Sequence, residues 1–364
     1  MTRGMVNALI EIRAMKNQHI EAVDLFCGIG GLSYGLKQAD IKVIAGLDND
    51  KTCSVAYEKN NDARFIAADI SKYDFSEMRG MFSDKSVKVL VGCAPCQPFS
   101  SHSFKAKNRE HDARWNLLSY FVKAIDELKP EVISMENVPG LTKTEVFAQF
   151  RQDIIDRGYF VDYKVVYCPD YGIPQSRNRL VFVASRLGPI KVPTATHQPK
   201  DYVKVKDTIK GLPRLNAGGK DKNDPIHRCM KLEPINLRRI KASKQGGSWQ
   251  DWDKELLPNC YKRATGKGYT PVYGRMKWTD TAPTMTTQFY NYGSGRFGHP
   301  SQNRAVSLRE GALIQTFPKS YEFDDTLPTS KIARHIGNAV PPRLGEILGR
   351  TMKEHIDKYD PSKV

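Results

Sequence analysis

Between about residues 20 and 185 the chain alternates short, almost wholly apolar runs with amphipathic stretches. "AVDLF", "KVIAGLD", "VKVLVGC", "EVISMEN" and "RLVFVAS" are rich in Val, Ile and Leu and show little period-two alternation. Such runs predict strands covered on both faces. Between them "GLSYGLKQA", "CSVAYEKNN" and "LLSYFVKAIDELK" carry apolar residues at helical spacing. The alternation predicts an α/β fold on a mostly parallel sheet with helices on both faces. Past about residue 190 the texture changes: "GPIKVPTATHQPKDYVKVKD" and "GLPRLNAGGKDKNDP" are dense in Pro, Gly and charge, and predict loops with short strands. "RAVSLREGALIQTF" and "RLGEILGRTMKEHIDKY" read as helices again. Two domains are therefore expected: a larger one from residues 20–190 with 328–364, and a smaller, loop- and strand-rich one from 191–327.

Charge sharpens that division. The 364 residues carry a formal net charge of +16, and between Arg186 and Pro300 there are 22 Lys and Arg against nine Asp and Glu. The same segment holds Trp249, Trp252 and Trp278, three of the four tryptophans. A basic stretch with interleaved aromatics suits a polyanion, most simply nucleic acid; a solvated basic surface explains the charge about as well. No apolar run approaches the ~20 residues of a membrane span. The N-terminus shows no signal-peptide pattern, and the seven cysteines are odd in number and unclustered. These features predict a reduced, cytoplasmic protein.

Four motifs bear on chemistry. "DLFCGIGGLSYGL" follows a strand and opens a helix, and its glycines at 28, 30 and 31 bring backbone N–H groups within reach of a ligand. Asp48 ends the second strand, where a carboxylate can accept from both hydroxyls of a ribose; Asp69, at the end of the third, can accept from an adenine amino group. Each acid alone fits a helix cap equally well, but three strand ends in order describe an adenosine site. The loop lacks a phosphate-binding cation, which suits S-adenosylmethionine better than a dinucleotide. "APCQPFS" puts Cys96 on a proline-stiffened loop, where a thiolate is a good nucleophile. A redox pair with Cys93 is the alternative; a metal is not expected, because neither a second cysteine pair nor suitably spaced histidines are present. "ISMENVPGL" brings Glu136 and Asn137 to the same sheet edge, and a carboxylic acid beside a thiol can activate a heterocycle through a ring nitrogen. "QSRNRL" spaces Arg177 and Arg179 by two, placing both guanidinium groups on one strand face.

Taken in order, "DLFCGIGGLSYGL", "APCQPFS", "MENVPGL", "QSRNRL", "RAVSLREGALIQTFP" and "HIGNAVPP" resemble the cytosine-C5 DNA methyltransferase family. The likeness runs from about residue 21 to 347, except about 190–275. It implies a Rossmann-like class I methyltransferase sheet, S-adenosylmethionine as cofactor, S-adenosylhomocysteine as product, and double-stranded DNA as substrate. It makes Cys96 the nucleophile at cytosine C6 and Glu136 the acid at N3. Arg179 approaches the cytosine carbonyl and Arg177 supports the nucleophile loop. Phe26, Gly28, Ile29, Gly30, Gly31, Asp48, Asn49, Asp69, Ile70, Pro95 and Leu117 match the cofactor pocket, with Phe317, Asn338 and Ala339 closing it. Where family members usually have Glu and a bulky apolar or aromatic residue, this chain has Asp48 and Asn49; the shorter acid can still reach a ribose, whereas Asn49 lacks a stacking face. Gln97, Ser100, Lys241, Arg263, Thr286 and Thr287 are implied DNA contacts, the basic segment being the target-recognition region and the other wall of a DNA cleft. The resemblance further implies action as a monomer and a cognate restriction or phage-defence system as partner. Rival readings are methylation of tRNA, as in some family members, a catalytically silent DNA-binding relic, and a C-x-x-C oxidoreductase.

Overall fold

The computed structural model describes residues 19–95, 117–263 and 270–359. Its first half follows the expected alternation: β1 (Ile20–Leu25), α1 (Gly31–Gln38), β2 (Lys42–Asp48), α2 (Ser54–Asn61), β3 (Arg64–Ala67), α3 (Phe75–Arg79), β4 (Val87–Gly92), α4 (Leu117–Leu128), β5 (Val132–Asn137) and α5 (Glu145–Asp156). Two further strands, β6 (Phe160–Tyr167) and β8 (Asn178–Ser185), complete a seven-stranded sheet in the order β3-β2-β1-β4-β5-β8-β6. The β1–β2, β1–β4, β2–β3 and β4–β5 pairs are parallel, so Leu25, Asp48, Ala67, Gly92 and Asn137 all reach one edge of the sheet. β8 runs antiparallel to β5, with Asn137 opposite Leu180.

α4 shows why the helices cover the sheet. Leu118, Phe121, Val122, Ile125 and Leu128 recur at helical spacing and are all buried, each worth roughly 1.5–3 kcal/mol of apolar burial. Phe121 meets Phe150 of α5 edge-to-face at 6.1 Å, and both belong to one core with Leu25, Leu90, Ile133 and Phe182. The C-terminal helix Pro342–Lys358 lies against α1, and His355 bonds Ser185 at the end of β8 across 2.7 Å. β6 does not stand out in the sequence. Phe160, Tyr163 and Val165 are exposed on this edge strand, so its composition is not that of a buried one.

The described chain divides into two compact units. One takes the chain up to Val166, Arg179–Thr194 and everything from Gly345; the other takes Tyr167–Asn178 and Ala195–Leu344. Residues 167–178 and 328–344, which the hydrophobic pattern grouped with the first domain, thus count with the second. That second unit is rich in loops, as its Pro, Gly and charge content predicts, but strand-rich it is not. Among its described residues the paired strands are β7 (Gln175–Ser176) and β9 (Ala282–Pro283), two residues each and parallel. Short helices punctuate the rest: α6 (Val205–Ile209), α7 (Pro234–Ala242), α8 (Asn259–Lys262), α9 (Leu308–Ile314) and α10 (Thr329–Asn338).

With so little ladder bonding, buried side chains supplement the main-chain bonds of the turns in the second unit. The buried Arg275 guanidinium donates to the carbonyls of Ser243, His299, Gln302 and Ile240 and to Asn303 Oδ1, at 2.5–3.1 Å. Arg304, fully buried, makes two 2.7 Å bonds to Glu310, which also accepts from the Ser307 N–H at the start of α9. Burial alone would raise the Glu310 pKa, but the Arg304 hydrogen bonds and charge outweigh it and hold the carboxyl below its usual range. Trp249 and Trp252 are buried with Ile240, Leu256 and Tyr292. They are core residues of the basic segment, contrary to the nucleic-acid role their composition suggested.

Arg304→Met should destabilise the protein by about 3–5 kcal/mol, because it strands a buried carboxylate, while Arg304→Met with Glu310→Met should recover most of the loss. Since Glu310 titrates low in the fold, its contribution is present above the ordinary glutamate pKa and lost as pH falls through the depressed value. The double variant should lack that acid-side loss in denaturant titrations.

Candidate active site

Three strand ends build the adenosine-like site. After β1 the chain turns sharply: Phe26, Gly28 and Gly30 have φ of 59°, 52° and 85°. Two of these left-handed positions are glycines, which adopt them without strain. Asp48, at the end of β2, locks the turn from the side, its Oδ2 accepting from the Gly28 N–H at 2.9 Å and Oδ1 from the Asp50 N–H at 2.8 Å. A Cβ on Gly30 would collide with Asn61 Nδ2 at 2.2 Å and Tyr57 Cδ2 at 2.8 Å, whereas one on Gly28 would meet, apart from its chain neighbours, no atom of the described residues within 4 Å. Among the described residues the Gly28 position is therefore a cradle open to a ligand, and the carboxylate acceptors Asp48 and Asp69 beyond the neighbouring strands suit the hydroxyls and amino group of an adenosine. Ile29 and Gly31 are buried, and Gly31 is the first residue of α1. Beyond β3, Asp69 is exposed and its Oδ1 accepts from the Ser71 N–H and hydroxyl at 2.9 and 2.8 Å; these bonds hold its carboxyl below the usual range. Ile70 is buried, Asn49 and Pro95 are exposed, and Leu117 is half-buried at the start of α4.

Beneath the loop lies a network that the sequence did not reveal. Asp24 is buried in β1, and its Oδ2 accepts from Ser33 Oγ at 2.7 Å, which in turn lies 3.0 Å from the Tyr57 hydroxyl. Burial, opposed by the Ser33 bond and reinforced by the Asp48 charge, pushes the Asp24 pKa up to about 7.

On the same sheet edge, Glu136 is buried at the end of β5. Because β8 is antiparallel, its first residues arrive beside the last residues of β5, and Arg179 Nε reaches Glu136 Oε1 at 2.6 Å. Cys93, just past β4, donates its thiol to Glu136 Oε2 at 2.9 Å. Asn137 Nδ2 donates to the Ala94 carbonyl at 3.1 Å, so both residues of the Glu-Asn pair grip the segment leading to Cys96. Cys96 itself, with Gln97 and Ser100, lies outside the described residues.

The two arginines do not act as a pair. Arg177 precedes β8, where the chain passes from the two-stranded ladder into the large sheet, and the period-two expectation fails at that switch. Its guanidinium is buried in the second unit, donating to the carbonyls of Met285 at 3.1 Å and Gly337 at 3.5 Å. Gln175 and Gln315 extend this hub: Gln175 bonds Gln315 and the Met285 N–H, and Gln315 bonds the carbonyls of Ile336 and Ala339. Asn338, at the exposed end of α10, and the half-buried Ala339 are fixed by it. Phe317 is buried against Tyr321 and Phe323, with ring centroids at 4.6 and 5.5 Å. The main chain of Thr286 and Thr287 presses on Gly337, where a Cβ would lie 2.4 Å from the Thr286 carbonyl. Lys241 in α7 and Arg263 after α8 are exposed.

Two predictions follow from the loop. Gly28→Ala should cost the fold about 1 kcal/mol of backbone strain yet sharply weaken S-adenosylhomocysteine binding by calorimetry, whereas Gly30→Ala should also lower the melting temperature markedly. For Asp24, the folded pKa of about 7 exceeds the ordinary 3.8. Its stabilising proton is fully present at low pH and lost as pH rises through 7, so Asp24→Asn should gain about 2–3 kcal/mol relative to wild type between pH 5 and pH 8 in denaturant titrations.

The model of the C-5 cytosine-specific DNA methylase family matches residues 20–354. The chain is 47% identical over 340 residues to the Type II methylase M.HgiDII of Herpetosiphon aurantiacus, covering 92% of this chain and 95% of that one. It is 30% identical over 350 residues to the Type II methyltransferase M.PspPI of Psychrobacter sp. (strain TA137), covering 94% and 81%. In fold it is similar to the crystal structure described as a DNA modification methyltransferase encoded within an E. coli prophage, with a TM-score of 0.69 at 22% identity over 92% of this chain and 99% of that one. With the family model spanning nearly the whole chain and a relative at 47% identity, the chain belongs to the C-5 cytosine-specific DNA methylase family.

Proposed function

We propose that the chain methylates C5 of a cytosine flipped out of a specific short duplex DNA sequence, with Cys96 as nucleophile and Glu136 as the acid at N3. The observation that carries this reading is the Glu136 carboxylate, buried at the carboxyl edge of the sheet, paired with Arg179, and touching the segment that leads into Cys96.

C5 of cytosine is a weak nucleophile. Addition of the Cys96 thiolate to C6, with a proton held at N3 by Glu136, places enamine electron density on C5. When bound, S-adenosylmethionine supplies the methyl group as an electrophile on sulfur, leaving S-adenosylhomocysteine. Loss of the C5 proton and expulsion of Cys96 restore the aromatic ring. The turn formed by Phe26, Gly28, Ile29, Gly30 and Gly31 would hold the cofactor, Asp48 would accept from its ribose, and Asp69 and Ile70 would meet its adenine, flanked by Asn49, Pro95 and Leu117. A base inside a duplex cannot reach a buried carboxylate, which is why flipping is required. Arg177 acts as a scaffold for the Met285 and Gly337 main chain rather than on the substrate. Lys241, Arg263, Thr286 and Thr287 would contact the DNA, the cations chiefly at phosphate. The relatives' designation as Type II enzymes supports a restriction–modification role. Among the described residues no helix is long and apolar enough to cross a membrane.

Labelled methyl transfer to genomic DNA, to tRNA and to no substrate, followed by bisulfite sequencing, tests the reading. The expected result is label in DNA, at cytosines of one short motif, abolished by Cys96→Ser. Label in tRNA alone would transfer the activity to RNA.

A further inference from the structure

The Cys93 thiol has no part in the chemistry above, yet it occupies one of the two oxygens on which that chemistry depends. Its main chain is held at both sides: the Cys93 N–H donates to the Leu25 carbonyl at 3.2 Å, and the next carbonyl, Ala94, accepts from Asn137 Nδ2 at 3.1 Å. With the backbone fixed between the ends of β1 and β5, the half-buried side chain delivers Sγ to 2.9 Å from Glu136 Oε2. Arg179 holds the other oxygen at 2.6 Å.

We propose that Cys93 is a positioning residue for Glu136, its thiol and the Arg179 guanidinium together fixing the carboxylate in one orientation toward the target base. The proposal rests on the reading of Glu136 as the acid at N3. The choice of donor is chemically apt. A guanidinium binds a carboxylate strongly and stays, whereas a thiol is a weak donor. An ionised carboxylate oxygen has two lone pairs, so a cytosine N–H can share Oε2 with the thiol, and Cys93 orders the carboxylate without competing with the substrate. A buried carboxylate with one oxygen undressed would turn toward any available donor, and a group misplaced by a fraction of an ångström loses rate.

The test compares Cys93→Ala, Cys93→Ser and Glu136→Gln in the full-length enzyme, on duplex DNA bearing the motif found by bisulfite sequencing. Cys93→Ala should lower kcat about 10-fold, the effect of a lost hydrogen bond to a charged group. KM for S-adenosylmethionine and for DNA should not change. Cys93→Ser, which keeps an O–H donor, should restore most of the rate. Melting curves with S-adenosylhomocysteine check that each variant is folded; if Cys93→Ala is not, Cys93→Gly serves as the donor-free variant. A donor-free variant with wild-type kcat would overturn the proposal, as would Cys93→Ser losing as much as Cys93→Ala, since packing rather than donation would then be at stake. Glu136→Gln separates the two readings. An inactive Glu136→Gln beside a fully active Cys93→Ala refutes the positioning role alone; an active Glu136→Gln removes the acid and this inference with it.

Discussion

A carboxylate buried at the end of a strand is tolerated only when it is paired, and the ion pair between Glu136 and Arg179 sets the terms for this edge of the sheet. A wholly parallel sheet would carry the first residues of β8 to the opposite edge. One reversed strand brings Arg179 to Glu136 instead. Glu136 and Asn137 together hold Cys93 and Ala94, which precede Cys96 by three and two residues. Removing Arg179 would leave an uncompensated charge in the core, so the fold itself requires the pair.

Much of this was legible from residue order. The glycine turn, Asp48 and Glu136 follow strands whose apolar runs mark them as buried, and parallel strands must present their carboxyl ends together. Less could be read where chain topology intervenes. Arg177 and Arg179 share a spacing that places them on one face of an unbroken strand, but the chain changes sheets between Ser176 and Asn178. β6 lies exposed at an edge, so its residues lack the signature of a covered strand. Asp24 and Ser33 are nine positions apart in sequence, and only the turn between β1 and α1 stacks one over the other.

The basic segment misled in a more instructive way. Its tryptophans and arginines suggested a nucleic-acid surface, yet Trp249, Trp252 and Arg275 are buried, as is Arg304 just beyond it. Arginine suits this work because its five donors fan out in a plane and can satisfy several carbonyls that no ladder reaches. Net charge was a poor guide to which cations face solvent.

That arrangement separates two kinds of position in one stretch of chain. The buried arginines and tryptophans fix the path of the loops, while Lys241, Arg263 and their exposed neighbours are bound to no packing constraint of their own. Substitutions at the exposed positions cost little stability. Selection can therefore rewrite the outer face of this unit many times over, and lineages that diverge widely in surface composition need not diverge in how they fold.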